Sequence, residues 1–555
     1  MHFHILLRVA LVLLLLIANS SFSAPENETS GSTEVSQHAN DYLDSIRNDR
    51  PALQRVMNRL PKGGNLHHHL MGAIEPKEII DIAIERGFCI YKSQRIAPCD
   101  CCAQSVKDYV SHEENRAALI KLLTLPESTD TLAVRDRHFF DYFPVVEGLF
   151  DGIDAHFVSF IRKKAAIDGL SYIESTIYWN EASGPGKLFA LITHLPTPDP
   201  NNSKSLEDFR ARLTSQPDFQ TQLKAAAKEI SNALKTSDDH LQCSLGSAQP
   251  ACSVTVRFLH EIHRTNTLPH VYAQMIFAFE LAQLSRSGKD PQILGINIDG
   301  PENNPTALDD YLSHMKMLSF LKNHKKYPLV KDNITLHAGE LVQATAEDSY
   351  YRTTLAEAIQ MVQPKRIGHG ISLMAQNCLK QSGSDHHEEY VNCSTELLKT
   401  MLDKDIAVEV PFTSNRRLND VGPDTHPFLI YLGHNIAVTL ATDDPGILKI
   451  DLTSQFVEAL YGFRHHHGDE NPLSFDRVLE LTRNSLEYSF LPGQSLWVKS
   501  KDHVRYQKRV QACLDLKSEA CNKFVGNNLK ARLQRTHELK LKEFLATDFQ
   551  QAVSF

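Results

Sequence analysis

No run of more than three consecutive Lys or Arg residues occurs in this 555-residue sequence, Lys325-Lys326 being one of the short clusters. Lys and Arg together number 58 against 67 Asp and Glu, for a formal charge of −9. A surface that grips nucleic acid or anionic membrane needs the opposite sign, so no polynucleotide partner is expected. Long apolar runs are equally scarce. After the first 18 residues no segment approaches the ~18 consecutive apolar positions of a membrane span, so the mature chain is expected to be soluble. Sequence repeats are absent too. What remains is ordinary for a soluble globular enzyme, with 42% apolar and 23% charged residues.

The first 23 residues read as an export signal. Arg8 precedes the apolar run Val9 to Ala18, and a small, polar stretch from Asn19 to Ala24 follows. Ser21 and Ser23 suit cleavage before Ala24, whereas a cut after Ala24 would put Phe22 at the −3 position and Pro25 just beyond it. The other reading of this segment is an uncleaved anchor. Export to a periplasm or an extracellular space also fits the ten cysteines. They fall in local groups: Cys89 with Cys99, Cys101 and Cys102; Cys243 with Cys252; Cys378 with Cys393; Cys513 with Cys521. Close pairs suit short disulfide loops in an oxidising compartment. Zinc binding at Cys99-Asp100-Cys101-Cys102 would need tighter spacing than such sites use.

Residues 24–60 are expected to form a polar leader, disordered over 25–40, and a short amphipathic helix over 41–59. From there short β-type runs alternate with helical runs, the pattern of parallel βα units. Eight strands are predicted: Gly64–His69, Leu170–Tyr178, Cys252–Leu259, Ile293–Asp299, Asn333–Ala338, Arg366–Gly370, Ala407–Phe412 and Ile436–Thr442. Eight such units point to an α/β fold, a closed (β/α)8 barrel over 61–490, with an open sheet as the alternative. Two long insertions interrupt it, near 88–140 and 184–250, and both are expected to decorate or lid the barrel mouth. Extra helices follow outside the barrel, with 491–555 as a C-terminal helical extension.

Four motifs carry chemistry. In Leu66-His67-His68-His69-Leu70, strand alternation turns His67 and His69 the same way, so two imidazoles can meet one metal. Leu336-His337-Ala338-Gly339-Glu340 pairs a candidate ligand with a carboxylate placed beyond a flexible glycine for proton transfer. Arg366-Ile367-Gly368-His369-Gly370 sets a histidine between glycines that permit close backbone approach. Thr442-Asp443-Asp444-Pro445 puts two carboxylates at a buried strand end, which a bound cation would neutralise; a helix N-cap before Pro445 is the simpler reading. All four fall at the C-terminal ends of predicted strands 1, 5, 6 and 8, the barrel rim where active sites of this architecture are built. Three histidines and one aspartate form a donor set for hydrolytic zinc chemistry.

In this order and spacing the motifs resemble the adenosine deaminase family, and the opening Pro61-Lys62-Gly63-Gly64 is similar to its secreted branch. The likeness runs from about residue 60 to 490, broken by the insertions. It implies one zinc per chain, held by His67, His69, His337 and Asp443. It further implies Glu340 as proton donor to purine N1, and His369 and Asp443 as the groups orienting the attacking water at C6. Asp444 would bond purine N7, and Gly300 and His69 would contribute substrate contacts. The implied substrate is a small-molecule purine nucleoside, adenosine or deoxyadenosine, converted to inosine or deoxyinosine with release of ammonia. One departure stands out. Where the family places a ribose-binding Asp this chain has Met71, and a thioether is a poor acceptor for sugar hydroxyls. Two other functions therefore stay open: a deaminase of adenine or another amino-heterocycle, and a secreted adenosine-binding or growth-factor-like protein. The roughly 35 residues between Ala24 and the barrel are short for the dimerisation segment of such factors. The oligomeric state is left open.

Overall fold

The computed structural model describes residues 29–100, 103–127, 130–150, 153–178, 187–245, 249–382, 387–464, 473–500 and 505–547. The export segment 1–23, Cys101 and Cys102 lie outside them. Eight parallel strands form one sheet in chain order: β1 (Gly63–Asn65), β2 (Leu170–Ile177), β3 (Thr255–His263), β4 (Ile293–Asp299), β5 (Ile334–Ala338), β6 (Arg366–His369), β7 (Ala407–Val410) and β8 (Val438–Leu440). Bridges just past β1 and β8 close it into a barrel. The Asp443 amide donates to His67 O (3.0 Å), and the His69 amide donates to Asp443 O (3.1 Å). The first and last chemical motifs are thus hydrogen-bonded to each other.

Why the barrel holds is legible in its strands. β2 is buried along its whole length, as are β5 to β8, the mark of strands covered on both faces. Two cations buried inside are paired. Arg366 is fully buried, bonded to Glu174 Oε2 (2.7 Å), Glu409 Oε1 and the Tyr488 carbonyl (2.8 Å), with its guanidinium 3.8 Å from the Phe490 ring centre. Lys62, just before β1, is also buried and donates to the carbonyls of Leu60 (3.2 Å) and Asp168 (2.8 Å).

Several boundaries differ from expectation, among them the first strand, which ends at Asn65 rather than His69. The helix Thr29–Ile46 occupies much of the stretch expected to be disordered, because Ala39 and Leu43 form an apolar i, i+4 pair that packs into the core. A second helix, Arg50–Arg59, starts where the Asp49 carboxylate accepts from the Ala52 amide (3.0 Å). The third strand begins later than expected and continues through His260-Glu261-Ile262-His263, while Cys252 lies in the short helical turn before it.

The two insertions differ in role. The first carries a small three-stranded sheet and then, at its end, the helix Leu132–Val146, whose residues reach the barrel mouth. The second folds as the helices Lys187–Ile192, Ser203–Thr214 and Pro217–His240, the last packed on the outer helix Ala155–Ile167. Among the described residues of 187–245, none lines the central cavity, which corrects the expectation that both insertions border the mouth. Outside the barrel, Leu529–Ala546 packs on Phe475–Glu487, fastened by a bidentate pair of Arg483 with Glu538 (2.8 and 2.9 Å). Four disulfides close short loops: Cys89–Cys99, Cys243–Cys252, Cys378–Cys393 and Cys513–Cys521.

Candidate functional site

Immediately beyond β1, alternation sends His67 and His69 inward, while His68 turns away to Ser175, its Nδ1 2.9 Å from Ser175 Oγ. His337 arrives from the end of β5 and Asp443 from just past β8. Their donor atoms lie within 4.8 Å of one another. His67 Nε2 and His69 Nε2 are 3.2 and 3.1 Å from Asp443 Oδ1, and His69 Nε2 is 3.2 Å from His337 Nε2. Ligands about 2.0–2.1 Å from a tetrahedral ion sit roughly 3.3 Å apart, so the four residues fit a divalent metal.

Each histidine is held from behind. His67 Nδ1 meets Glu409 Oε2 (2.9 Å), His69 Nδ1 meets Thr176 Oγ1 (2.8 Å) and Asp299 Oδ2 (3.0 Å), and His337 Nδ1 meets the Asn297 carboxamide (3.0 Å). Such contacts fix the ring and turn the Nε2 lone pair toward the metal. The carboxylates also leave the cluster short of positive charge: against burial, Asp443 and Glu409 draw the His67 imidazole up to about 9. A divalent cation satisfies that balance.

The reactive groups flank this cradle. His369 Nε2 is 3.7 Å from Glu340 Oε2 and 3.9 Å from Asp443 Oδ2, and among the described residues no hydrogen-bond partner reaches it. Glu340 keeps 21% of its side-chain surface open to the cavity, and burial pushes its carboxyl above the ordinary range. Its backbone is clamped, since the amides of Gly339 (3.2 Å) and Glu340 (2.8 Å) both donate to the Glu302 carboxylate. The Asp444 carboxyl is raised well above its usual range, chiefly by burial and further by Asp443 and Asp299; its Oδ1 is buried with no partner among the described residues. A Cβ at Gly72 would come 1.6 Å from that oxygen, and one at Gly368 2.8 Å from the His67 ring, so two glycines make room for the site. His369 (φ +67°) and Asp443 (φ +62°) both hold left-handed backbone, a conformation uncommon for non-glycine residues that collects at working sites.

These groups face a cavity of about 940 Å³, bounded by Met71, by Glu261, Asp299 and Glu302, and by Phe139 and Phe143 of the first insertion's helix. Two expected substrate contacts are not simply offered. Both ring nitrogens of His69 are engaged, Nε2 in the donor group and Nδ1 with Thr176 and Asp299, so none is left for a substrate. The Gly300 amide already donates to Asp299 Oδ1 (2.6 Å), and a purine would have to share it.

Sequence reasoning missed Glu409, Asn297, Asp299, Glu261 and Glu302. For Glu409 the signal was a lone polar residue within an apolar strand, Ala407-Val408-Glu409-Val410, where a buried carboxylate demands a partner.

The sequence model described as "Adenosine deaminase" matches residues 212–497, more than half of the chain, taking in His337, Glu340, His369, Asp443 and Asp444. The chain belongs to the adenosine deaminase family. Among curated relatives, it is similar to an adenosine deaminase of Plasmodium falciparum (isolate 3D7), 32% identical over 127 residues, 23% of this chain and 28% of that one. It is also similar to an adenine deaminase of Rhizobium rhizogenes, 28% identical over 162 residues, 28% of this chain and 39% of that one. These stretches span well under half the relatives' own length. Solved structures of similar fold include an adenine deaminase from Arthrobacter aurescens (17% identity, 78% of this chain and 94% of that one, TM-score 0.45). Another is Arabidopsis ADAL complexed with IMP (16% identity, 88% and 98%, TM-score 0.45).

Proposed function

We propose that this member of the adenosine deaminase family is an exported, zinc-dependent aminohydrolase that converts adenosine or deoxyadenosine to inosine or deoxyinosine. The observation that carries the reading is the meeting of His67, His69, His337 and Asp443 at one rim with Glu340, His369 and Asp444 on the same cavity wall. Zinc held by the four donors supplies Lewis acidity that makes water nucleophilic near neutral pH. The remaining work falls to the chain. Asp444, its carboxyl protonated, donates to purine N7. Glu340, raised by burial, donates its proton to N1 and so makes C6 electrophilic. His369 and Asp443 orient the attacking water at C6, the Gly300 amide is shared with the base, and the amine leaves as ammonia. The cavity's phenylalanines keep bulk water from the base.

Met71 supports a second reading, deamination of free adenine, because it offers the sugar no hydrogen-bond acceptor beyond its own backbone. Four short disulfides, together with the apolar run at 9–18, support export to a periplasmic or extracellular space. The deciding experiment offers purified protein adenosine, deoxyadenosine and adenine, reading absorbance and ammonia with metal analysis alongside. About one zinc per chain and ammonia from at least one aminopurine are expected. A metal-replete protein that binds adenosine yet releases no ammonia would make it a binding or growth-factor-like protein instead.

A further inference from the structure

Behind His369, on the side away from the metal cradle, a chain of hydrogen bonds runs into the protein. As placed, Asn415 Oδ1 lies 2.7 Å from His369 Nδ1, and Asn415 Nδ2 lies 3.0 Å from His426 Nε2. His426 Nδ1 in turn receives the backbone N–H of Phe428 (3.1 Å). All three side chains are buried: His369 is 1% exposed, Asn415 0% and His426 5%.

The direction of this chain follows from its inner end. A backbone N–H only donates, so His426 Nδ1 accepts and bears no proton. An imidazole that accepts at Nδ1 is neutral and carries its proton on Nε2. The surroundings agree, because burial, and after it the neighbouring His369, push the His426 imidazolium down to about 3. His426 Nε2–H therefore donates toward Asn415, and the amide must present its oxygen there. With the NH₂ on that side, as placed, two donors face each other at 3.0 Å, so the bonding requires the amide turned over. The two ends of a carboxamide exchange by a half-turn about one bond, and the partners decide which way it sits. That half-turn exchanges Oδ1 for the NH₂ at His369, whose Nδ1 can then only accept.

We infer that Asn415 and His426 are positioning residues that lock His369 as the tautomer with its proton on Nε2, facing the cavity. The backbone of Phe428 is the reference from which that proton's place is set. The consequence for catalysis rests on the deaminase reading, whereas the tautomer itself does not. In that reaction His369 enters as a donor to the attacking water's oxygen. It has no lone pair at Nε2 with which to take the water's proton, so that proton passes to a carboxylate, Asp443 or Glu340. The same chain explains why His369 Nε2 is buried with no partner among the described residues: its partner is the reacting oxygen.

Two measurements on the full-length, metal-loaded protein test this. Ring-¹⁵N histidine spectra, with His369 assigned by difference from His369→Gln, are expected to show an unprotonated Nδ1 and a protonated Nε2. The reverse pattern overturns the inference whether or not the protein is a deaminase. Second, Asn415→Asp can only accept, so it would pull the His369 proton to Nδ1. Turnover is then expected to fall on the order of 10²-fold or more, with KM and metal content kept. Turnover within about threefold of wild type would mean the amide oxygen faces His369, and the inference would fail. As a control for folding, His426→Gln can donate to Asn415 and accept from Phe428 through its two amide ends, and should retain turnover where His426→Leu loses it. Equal activity of those two variants would remove His426 from the device.

Discussion

Glu409 and His67 meet 2.9 Å apart inside the barrel, carboxylate Oε2 to imidazole Nδ1, while Glu409 Oε1 accepts from Thr335 Oγ1 (3.0 Å) and from Arg366. Burial alone would raise this carboxyl, yet Arg366 and His67 hold it down at about 2, so it stays charged at every working pH. Glu409→Gln would need its oxygen at His67, which turns an NH₂ against the Arg366 guanidinium. Metal affinity is expected to drop about 10- to 100-fold, measured by competition with a chelator. Glu174→Gln breaks the other partner of Arg366 without touching His67. It should lower stability and leave metal affinity alone; equal losses of affinity in both variants would mean that the effect comes from a damaged barrel.

Glu340 is the residue whose loss separates metal binding from chemistry. Because Glu302 holds the backbone amides of Gly339 and Glu340, replacing the side chain alone leaves the loop in place. Glu340→Gln should keep its metal and lose on the order of 10²-fold or more in turnover. Near-normal turnover in the metal-replete variant would move the acid role to another group.

Much of this was legible in sequence because it follows from short-range periodicity. The eight strands, and the alternation that turns His67 and His69 together but His68 away, need only a period of two. Spacing was also enough for Cys243–Cys252, Cys378–Cys393 and Cys513–Cys521, whereas it left Cys89 three candidate partners, of which the structure joins Cys99. The residues that escaped act over long separations. Glu409 is 342 positions from His67, and Asn415 reaches His369 only because β6 and β7 are neighbours. The third strand was cut short at Leu259 because its apolar run ends there, although alternation carries on to His263 and places Glu261 on the cavity wall. Of the two insertions expected at the mouth, the first borders the cavity through helix Leu132–Val146, and among its described residues the second does not.

Acid should destabilise the fold from below about pH 6.5. His260, His314 and His537 are buried and neutral, their imidazoliums pushed down by burial to about 4, 3 and 4. Their ordinary value in an unfolded chain is about 6.5. The unfolded state thus binds extra protons as pH falls, and stability declines from about pH 6.5 toward 4, by at most ~1.4 kcal/mol per pH unit for each histidine. Metal release acts in the same direction, so the informative comparison is a variant remote from the site. His537→Gln, which can keep the bond to Thr482 Oγ1 (3.0 Å), should flatten the pH dependence of denaturant unfolding by about one proton. Identical slopes for variant and wild type between pH 7 and 5 would show that His537 is not held neutral.

Specificity turns on Met71. It borders the cavity, its carbonyl accepts from Tyr142 OH (2.8 Å), and the next residue, Gly72, is packed against Asp444. A carboxylate at this position stands where the family binds ribose, and restoring a hydrogen-bonding group strengthens selection for its partner. Met71→Asp is therefore expected to improve kcat/KM for adenosine by roughly 1–2 kcal/mol while leaving adenine little changed. The new charge would also add to those of Asp443 and Asp299 and hold the Asp444 carboxyl protonated more firmly, which favours donation to the base. The opposite result is equally readable. If the wild type strongly prefers adenosine to adenine and Met71→Asp only harms it, another wall residue holds the sugar. Asp136 on the first insertion's helix, or Glu261 at the end of β3, would then be the first to replace, because none of the described residues of the second insertion borders the cavity.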